Sequence, residues 1–400
     1  MPMLEFEEAL ARILVAVPAP PPEHVALSAA TGRVLADEVQ SPIDLPAFDN
    51  SAMDGYGLRA AEAASARPGS PVRLRLAGKV AAGETFAGEV AAGTCVRLFT
   101  GSPLPRGADA VVMQEDTRAE AGEVLILTPT QPGGNVRARG GDVKRGSSLA
   151  AAGELLTVGR LALLAAAGLP EVRVGRRPVV GLLATGSELK APGQRLAPGQ
   201  VYESNRVALA ALLERVGAVP QTFPLVADAL APTSLALAAA FNQCDVVVTS
   251  GGVSVGEMDF IKRAFEQVGG ELQFWEVAIK PGRPFAFGRY QGKLWFGLPG
   301  NPVSAIVTFL LFVRPALLRW QGAIHVSLPS HPAVLAEPLV NEGGRRHFMR
   351  VRVDPLGRVW SAGVQASHVL SSMAAANGLV DVPANSTSAA GATVPVLRWE

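Results

Sequence analysis

Between Arg176 and Trp320 the chain alternates short apolar runs with helical stretches, and this rhythm limits the fold more than any other feature. Residues 178–184 form a β-branched apolar run suited to a strand buried on both faces. Residues 205–216 then read as an amphipathic helix closed by Gly217. Residues 219–226 give a second strand, 232–241 a helix, and 245–249 a third strand closed by Gly251 and Gly252. Residues 259–268 are helical up to Gly269 and Gly270. Residues 274–279, 285–287 and 294–297 read as further strands, and 303–320 as a last helix that Pro315 kinks or splits. Repeated strand–helix–strand units imply an α/β domain with a mostly parallel sheet.

The flanking segments differ. Residues 4–17 have helical spacing, and the run 18–22 with its four prolines stops it. Residues 72–127 hold short β-type runs at 72–76, 94–98, 110–113 and 124–127, divided by Gly, Pro and Asp turns. Residues 155–167 return to helical spacing and end at Gly168. From about Ser327 the helices stop, and runs at 349–353 and 394–397 predict a small β domain. These changes of pattern separate 46–142 as a β-rich stretch, 176–326 as the α/β domain and 327–400 as a C-terminal β domain, and leave 1–45 and 143–175 as partly helical flanks. Four hundred residues exceed one ordinary core, so several domains are expected.

Charge and cysteine content exclude several functions. With 36 basic and 35 acidic residues, the chain has no excess charge for nucleic acid or a membrane surface. Cys95 and Cys244 match no zinc or redox spacing, and a reduced cytoplasmic setting is expected. The N-terminus shows no basic-then-apolar signal, and the apolar run 303–313 is too short to span a bilayer. His24, His325, His331, His347 and His368 lack metal spacing.

In an open α/β sheet, ligands sit beyond the carboxyl ends of the strands. Three loops here carry glycines and small polar groups at those ends. They are Thr185-Gly186-Ser187-Glu188, the run from Thr249-Ser250-Gly251-Gly252 through Ser254 to Asp259, and Leu298-Pro299-Gly300-Asn301-Pro302-Val303-Ser304. Two run into helix N-termini, where amides and the helix dipole favour anions. A single glycine turn equally well ends a strand and does nothing else. Three on one sheet edge point to a phosphate-bearing or polyanionic ligand. No P-loop or G-x-G-x-x-G pattern occurs, which disfavours an ordinary NTPase or dinucleotide enzyme.

Lys280-Pro281-Gly282-Arg283-Pro284 adds two cations on a stiff turn. It reads either as a solvated surface turn or as an oxyanion site, and the flanking Ile279 and Phe285 favour a fixed position. Glu188, Asp228 and Asp259 recur at strand-to-helix junctions and together suit Mg²⁺ on a substrate phosphate. Asp259 also fits a helix N-cap, and Asp228 a plain turn aspartate. The polar loop from Pro46 to Gly57 and the charged loop Gly134-Asn135-Val136-Arg137-Ala138-Arg139-Gly140-Gly141-Asp142 read as active-site or inter-subunit loops, or as turns and a solvated hinge.

In combination, five segments resemble the MoeA family, the molybdopterin molybdenumtransferases, to which the E domain of gephyrin is also similar. They are 46–57, 135–142, 250–259, 280–284 and 298–304, within a match over roughly 4–380. The resemblance implies four domains per chain: a three-layer α/β domain like that of the molybdopterin adenylyltransferases (MoaB/Mog-like), a β-rich domain II, a small barrel-like C-terminal β domain and the linker. It implies that 1–45 with 143–175 form one discontinuous helical linker and dimerisation domain, and that the protein is a homodimer with a cleft shared between subunits. Carried over by position, the family's acids fall on Asp54, Asp142, Glu188, Asp228 and Asp259. Its threonine falls on Thr100, its lysine on Lys280, its arginines on Arg137 and Arg350, and a serine on Ser371 beside Ser372. One departure stands out. Some members read Phe-Trp-Lys-x-x-x-Lys where this chain has Phe274-Trp275-Glu276.

The resemblance further implies insertion of molybdenum, supplied as molybdate, into adenylyl-molybdopterin with release of AMP. Glu188, Asp228 and Asp259 would hold Mg²⁺, and Asp54 and Asp142 would come from the partner subunit; either Glu276 points away from the oxyanion pocket, or molybdate is held mainly by Lys280, Arg283 and an arginine from elsewhere. The pathway's adenylyltransferase is an expected partner. Three alternatives stay open at the level of sequence: an adenylyltransferase, a non-catalytic dimeric scaffold, and a tungsten-handling relative.

Overall fold

The computed structural model describes residues 3–252 and 259–399, and of Asp259 the backbone alone. A six-stranded sheet lies at its centre, in the order Val219–Thr222, Val179–Ala184, Val246–Ser250, Lys293–Leu298, Ala286–Tyr290, Glu271–Trp275. The first four strands run parallel, and the last two add an antiparallel edge. The predicted mostly parallel sheet is therefore present.

Strand residues alternate between two faces. Val246 and Val248 enter one core and Val247 the other. Leu294, Phe296 and Leu298 face the first core, while Trp295 faces the second. Both faces are apolar, which is why these strands read as continuous hydrophobic runs rather than alternating ones. Helices Leu230–Gln243 and Asp259–Gln267 cover one face. Asn205–Arg215 and the Pro302–Trp320 stretch cover the other, completing three layers.

That last stretch is not one regular helix. It is α-helical over Pro302–Thr308, π-helical over Phe309–Val313 and α-helical again over Arg314–Trp320. Pro315, which lacks an N–H, stands directly after the π turn, at the start of the final α segment. The stretch is long and apolar enough to cross a membrane by composition, but 83% of it is buried inside the fold, as befits a core helix.

Two expectations need correction. The predicted strand 274–279 is two strands in two sheets. Glu276 has φ +72°, and this left-handed residue breaks the run. Glu271–Trp275 stays in the central sheet, while Ile279–Lys280 pairs in parallel with Arg346 and His347 of the C-terminal domain. The second concerns helices beyond Ser327: Leu370–Ala374 is a short one.

The C-terminal strands form a closed barrel, in the order Ile279–Lys280, Arg346–Val353, Arg358–Ser361, Ser330–Leu335, Thr393–Leu397, Gly378–Val382. Pairing of Gly378–Val382 back onto Arg346–Val353 closes it. The β-rich domain is a second six-stranded sheet, built from Gly55–Leu58, Val72–Val80, Thr94–Leu98, Ala110–Met113, Thr117–Glu120 and Glu123–Ile126. Between it and the α/β domain, Glu23–Ala26 pairs with Glu171–Val174, and Val39–Gln40 with Ser148–Ala150, around a small core containing Leu35, Leu149 and Leu164. The N-terminal helix Phe6–Ala16 does not pack there. It lies on the α/β core, with Phe6 against Phe312 and Phe348, at 5.4 and 5.2 Å between ring centres.

Candidate active site

The carboxyl ends of Val179–Ala184, Val246–Ser250 and Lys293–Leu298 lie side by side, so the three predicted loops share one edge. Their register is fixed by short bonds. Thr185 N–H donates to Ser250 O at 3.1 Å, and Gly251 N–H to Leu298 O at 3.3 Å. Gly251 has φ +94°, and a Cβ there would sit 2.4 Å from Thr185 O. Gly252, at φ +67°, would place a Cβ 2.6 Å from Ile261. Only glycine allows the two strand ends to approach this closely.

These loops line a groove of about 1130 Å³, which includes Thr185, Ser187, Glu188, Asp228, Ser250 and Gly300. Gly251, Gly252, Pro299, Asn301 and Pro302 line it as well. Gly186 is buried beneath, its N–H bound to Val226 O at 3.1 Å. Ser254 and the Asp259 side chain lie outside the described residues.

Three carboxylates face the groove, and they are not equivalent. Glu203 is buried and held by Arg206, whose Nε donates at 2.9 Å. Asp228 accepts only the Ser187 N–H, at 3.3 Å, and neither Glu188 nor Asp228 forms an ion pair among the described residues. Carboxylates without a cation, beside glycine-rich loops, are of the kind that could hold a hard divalent cation together with ligand oxygens. Among the described residues, no three acidic, histidine or cysteine groups converge on one point.

A second cavity of about 600 Å³ adjoins the first and shares Pro284, Pro299, Asn301 and His368 with it. Its character is cationic. Lys280, Arg283 and Arg345 line it, with Ser304 at the base of the helix Pro302–Thr308. Gly282, at φ +113°, lets the Lys280 turn press against Thr308: a Cβ there would lie 2.4 Å from the threonine methyl. The far wall, 364–368, comes from the C-terminal domain. Asn301 Nδ2 donates to Ser367 Oγ at 3.1 Å, and Val303 N–H to Ser367 O at 3.2 Å, which join the two domains at the groove.

The other predicted site residues sit elsewhere. Asp54 accepts both the N–H and the hydroxyl of Thr100, at 2.8 and 2.9 Å, on the β-rich domain. The Thr100 N–H above all, with its hydroxyl and then Arg97 nearby, holds the Asp54 carboxyl below its usual range. Arg137 and Asp142 are exposed on the segment that leaves that domain. None of these four lines the groove of its own chain. Arg350 does not reach it either. It is wholly buried, and Nη2 donates to Val364 O and Ala366 O at 2.9 and 3.2 Å, so it braces the groove wall from behind. Ser371 is exposed, whereas Ser372 is buried against Arg350.

Sequence reasoning missed Asn205, His368 and Arg345. Asn205 Nδ2 donates to Ser250 Oγ at 2.7 Å and to Gly300 O at 2.8 Å, tying two of the loops together. Its signal was available: it opens a helix at the same sheet edge. His368 and Arg345 arrive from the barrel, and no local pattern marks them.

The chain is similar to known proteins along most of its length. Residues 4–168 match the MoeA N-terminal region (domain I and II), 181–319 a probable molybdopterin binding domain, and 332–399 the MoeA C-terminal region (domain IV). The molybdopterin molybdenumtransferase of Haemophilus influenzae is 40% identical over 382 residues, covering 94% of this chain and 93% of that protein. Molybdopterin molybdenumtransferase 2 of Mycobacterium tuberculosis is 40% identical, covering 93% of each chain. The crystal structure of a molybdopterin biosynthesis MoeA protein from Pyrococcus horikoshii superposes with a TM-score of 0.86 at 31% identity, covering 100% of both chains. With all three regions matched in order and the same architecture throughout, the chain belongs to the MoeA family.

Proposed function

We propose that this protein is a molybdenumtransferase that inserts molybdenum from molybdate into adenylyl-molybdopterin and releases AMP. The observation that carries this reading is the two-ended groove: a hydroxyl- and carboxylate-lined end continuous with a cationic end. The first end suits a nucleotide with its pyrophosphate, and the second a tetrahedral dianion. Relatives named molybdopterin molybdenumtransferase match 93–94% of the chain.

The chain's part is chiefly to hold two anions together in a fixed orientation. Ser187, Ser250 and the amides around Gly251 and Gly300 offer donors to the nucleotide phosphates. Lys280 and its neighbouring cations offset the charge of molybdate. The dithiolate sulfurs bond to molybdenum as molybdate oxygens each take up two protons, from the pterin thiols and solvent, and leave as water, and hydrolysis of the phosphoanhydride bridge consumes a water and frees AMP from the pterin phosphate. Glu188 and Asp228, with Asp259, would hold Mg²⁺, which supplies charge compensation at the bridge.

Asp54, Thr100, Arg137 and Asp142 complete the site from the partner subunit of a homodimer. Their position outside the chain's own groove supports this. A reduced cytoplasmic setting accords with two buried free thiols, Cys95 and Cys244. The pathway's adenylyltransferase would hand over the nucleotide–pterin.

The test supplies adenylyl-molybdopterin, Mg²⁺ and low molybdate, and follows AMP release with reconstitution of a molybdoenzyme. AMP release that tracks molybdate supports the reading. Dependence on ATP with pyrophosphate release would instead identify an adenylyltransferase. Mixing Asp54→Ala and Asp259→Ala proteins should restore part of the activity through hybrid dimers, and a monomer in solution would defeat the shared site.

A further inference from the structure

A third cavity, of about 490 Å³, shares no lining residue with either end of the groove. Its walls come from both sides of a domain joint. Arg215 and Arg314 stand on helices of the α/β domain, while Pro329, His331, Arg398 and Trp399 lie on or beside the barrel strands Ser330–Leu335 and Thr393–Leu397. Asn205 and Arg215 are the two ends of one helix of 11 residues. At 1.5 Å of rise per residue, the cavity is therefore roughly 15 Å from the loops that Asn205 ties together.

Three guanidinium groups and an imidazole line this cavity, and no acidic side chain does so among the described residues. Arg314 Nη1 donates to Val326 O at 2.9 Å, and Arg215 Nη2 to Trp399 O at 2.9 Å. A carbonyl fixes the direction of a guanidinium without neutralising it. Arg314 and Arg398 form no ion pair among the described residues, and the Nε of Arg398 is buried with no partner there. Burial also lowers the Arg314 pKa, because its charge is poorly solvated where it is held. A surface cluster of arginines would leave its donors in water. Here a buried donor and a poorly solvated cation face one partly enclosed space, and a bound anion would satisfy both.

We propose that this cavity is a phosphate site distinct from the groove, taking a phosphate dianion, free or carried on a small organic molecule, and clasping the barrel to the α/β domain when filled. Three arginines arriving on three separate elements surround a tetrahedral dianion. A planar carboxylate needs only one guanidinium fork. Pro329 and Trp399 add an apolar wall for an organic group. Because the cations come from two domains, bound phosphate stabilises the folded joint by mass action.

The experiment titrates the intact protein with inorganic phosphate and with phenyl phosphate, by calorimetry and by melting temperature, against sodium chloride at equal ionic strength. Arg398→Gln and Arg314→Gln should each weaken phosphate binding at this cavity about tenfold or more. Both should also lose most of the phosphate-dependent rise in melting temperature, with the KM values for AMP release unchanged. Arg398→Lys keeps the charge and should recover part of the binding. Lys280→Ala alters the groove and should leave this binding event as it is. Arg314→Gln retains a donor for Val326 O; if it nevertheless melts early, Arg398→Gln decides alone. Tighter binding of phenyl phosphate assigns an organic phosphate as the occupant, and equal binding assigns free phosphate. Wild-type phosphate affinity in the glutamine variants overturns the proposal. So does loss of every phosphate event in Lys280→Ala, or a chloride titration that reproduces the phosphate effect.

Discussion

The Nε of Arg350 donates to the hydroxyl of Ser372 across 2.9 Å, and both side chains are buried. Ser372 passes the bond on to Val369 O at 2.7 Å, while the other end of the guanidinium holds Val364 O and Ala366 O. Burial pulls the Arg350 pKa down to about 10. The pair thus fixes the wall 364–368 that carries His368 into the groove. Ser372→Ala should lower stability by ~1–3 kcal/mol, the cost of an unsatisfied buried donor. Ser371→Ala, on an exposed side chain, should stay within ~0.5 kcal/mol. Urea unfolding of both variants decides: a greater loss at Ser371 would reverse this assignment of roles.

Asn205 offers a sharper functional test. One amide group holds both Ser250 Oγ and Gly300 O, so its loss frees two loops at once. Asn205→Ala should raise the KM for the nucleotide–pterin roughly tenfold, because orientation rather than chemistry is lost. Its molybdate dependence should be unaltered, since Asn205 does not line the cationic cavity. Equal shifts for both substrates would show that the damage is general.

Most of the architecture was legible because burial on both faces leaves a strong trace: runs such as Val179–Ala184 have no other use. The loops were legible because glycines at strand ends have few purposes. Where the sequence misled, a long-range partner decided. Ile279–Lys280 leaves the central sheet only because Arg346–Val353 is there to pair with it. The resemblance makes Arg350 a substrate cation, yet alternation sets it on the face of Phe348, and Phe348 packs into the α/β core. That neighbour was the missed clue. Arg345 and His368 had no local clue, since the barrel's placement alone brings them to the groove.

Three groove carboxylates give a prediction by contrast. Glu188→Gln and Asp228→Asn should each raise the Mg²⁺ needed for half-maximal AMP release about tenfold, while leaving thermal stability near wild type, because neither carboxylate is ion-paired among the described residues. Glu203→Gln should do the reverse. Its carboxylate is 3% exposed and bound to Arg206, so breaking that pair should lower stability by ~3–5 kcal/mol without a specific Mg²⁺ effect. Metal titration and melting curves on the three proteins separate the roles. A Mg²⁺ requirement unmoved by both groove variants would remove them as ligands.

His347 lies directly behind the Lys280 turn, 2% exposed, and its Nε2 has no partner among the described residues. Burial first, then Lys280, Arg350 and Arg345, push its pKa from 6.5 down to about 3. Well above pH 6.5 the imidazole is neutral in both folded and unfolded chains, so its titration contributes nothing there. As the pH falls below that value, the unfolded chain takes up a proton that the folded one refuses. Stability should drop by up to ~1.4 kcal/mol per pH unit towards pH 3 from this group alone. Carboxylates with lowered pKa, such as Asp54 and Asp354, add their own loss only at more acid pH. The window between about pH 5 and pH 6.5 therefore belongs mainly to histidine. His347→Gln cannot be protonated there, and its unfolding free energy should be flatter across that window than that of the wild type. Urea unfolding at closely spaced pH values makes the comparison, and parallel curves for the two proteins would show that His347 is not the residue being titrated.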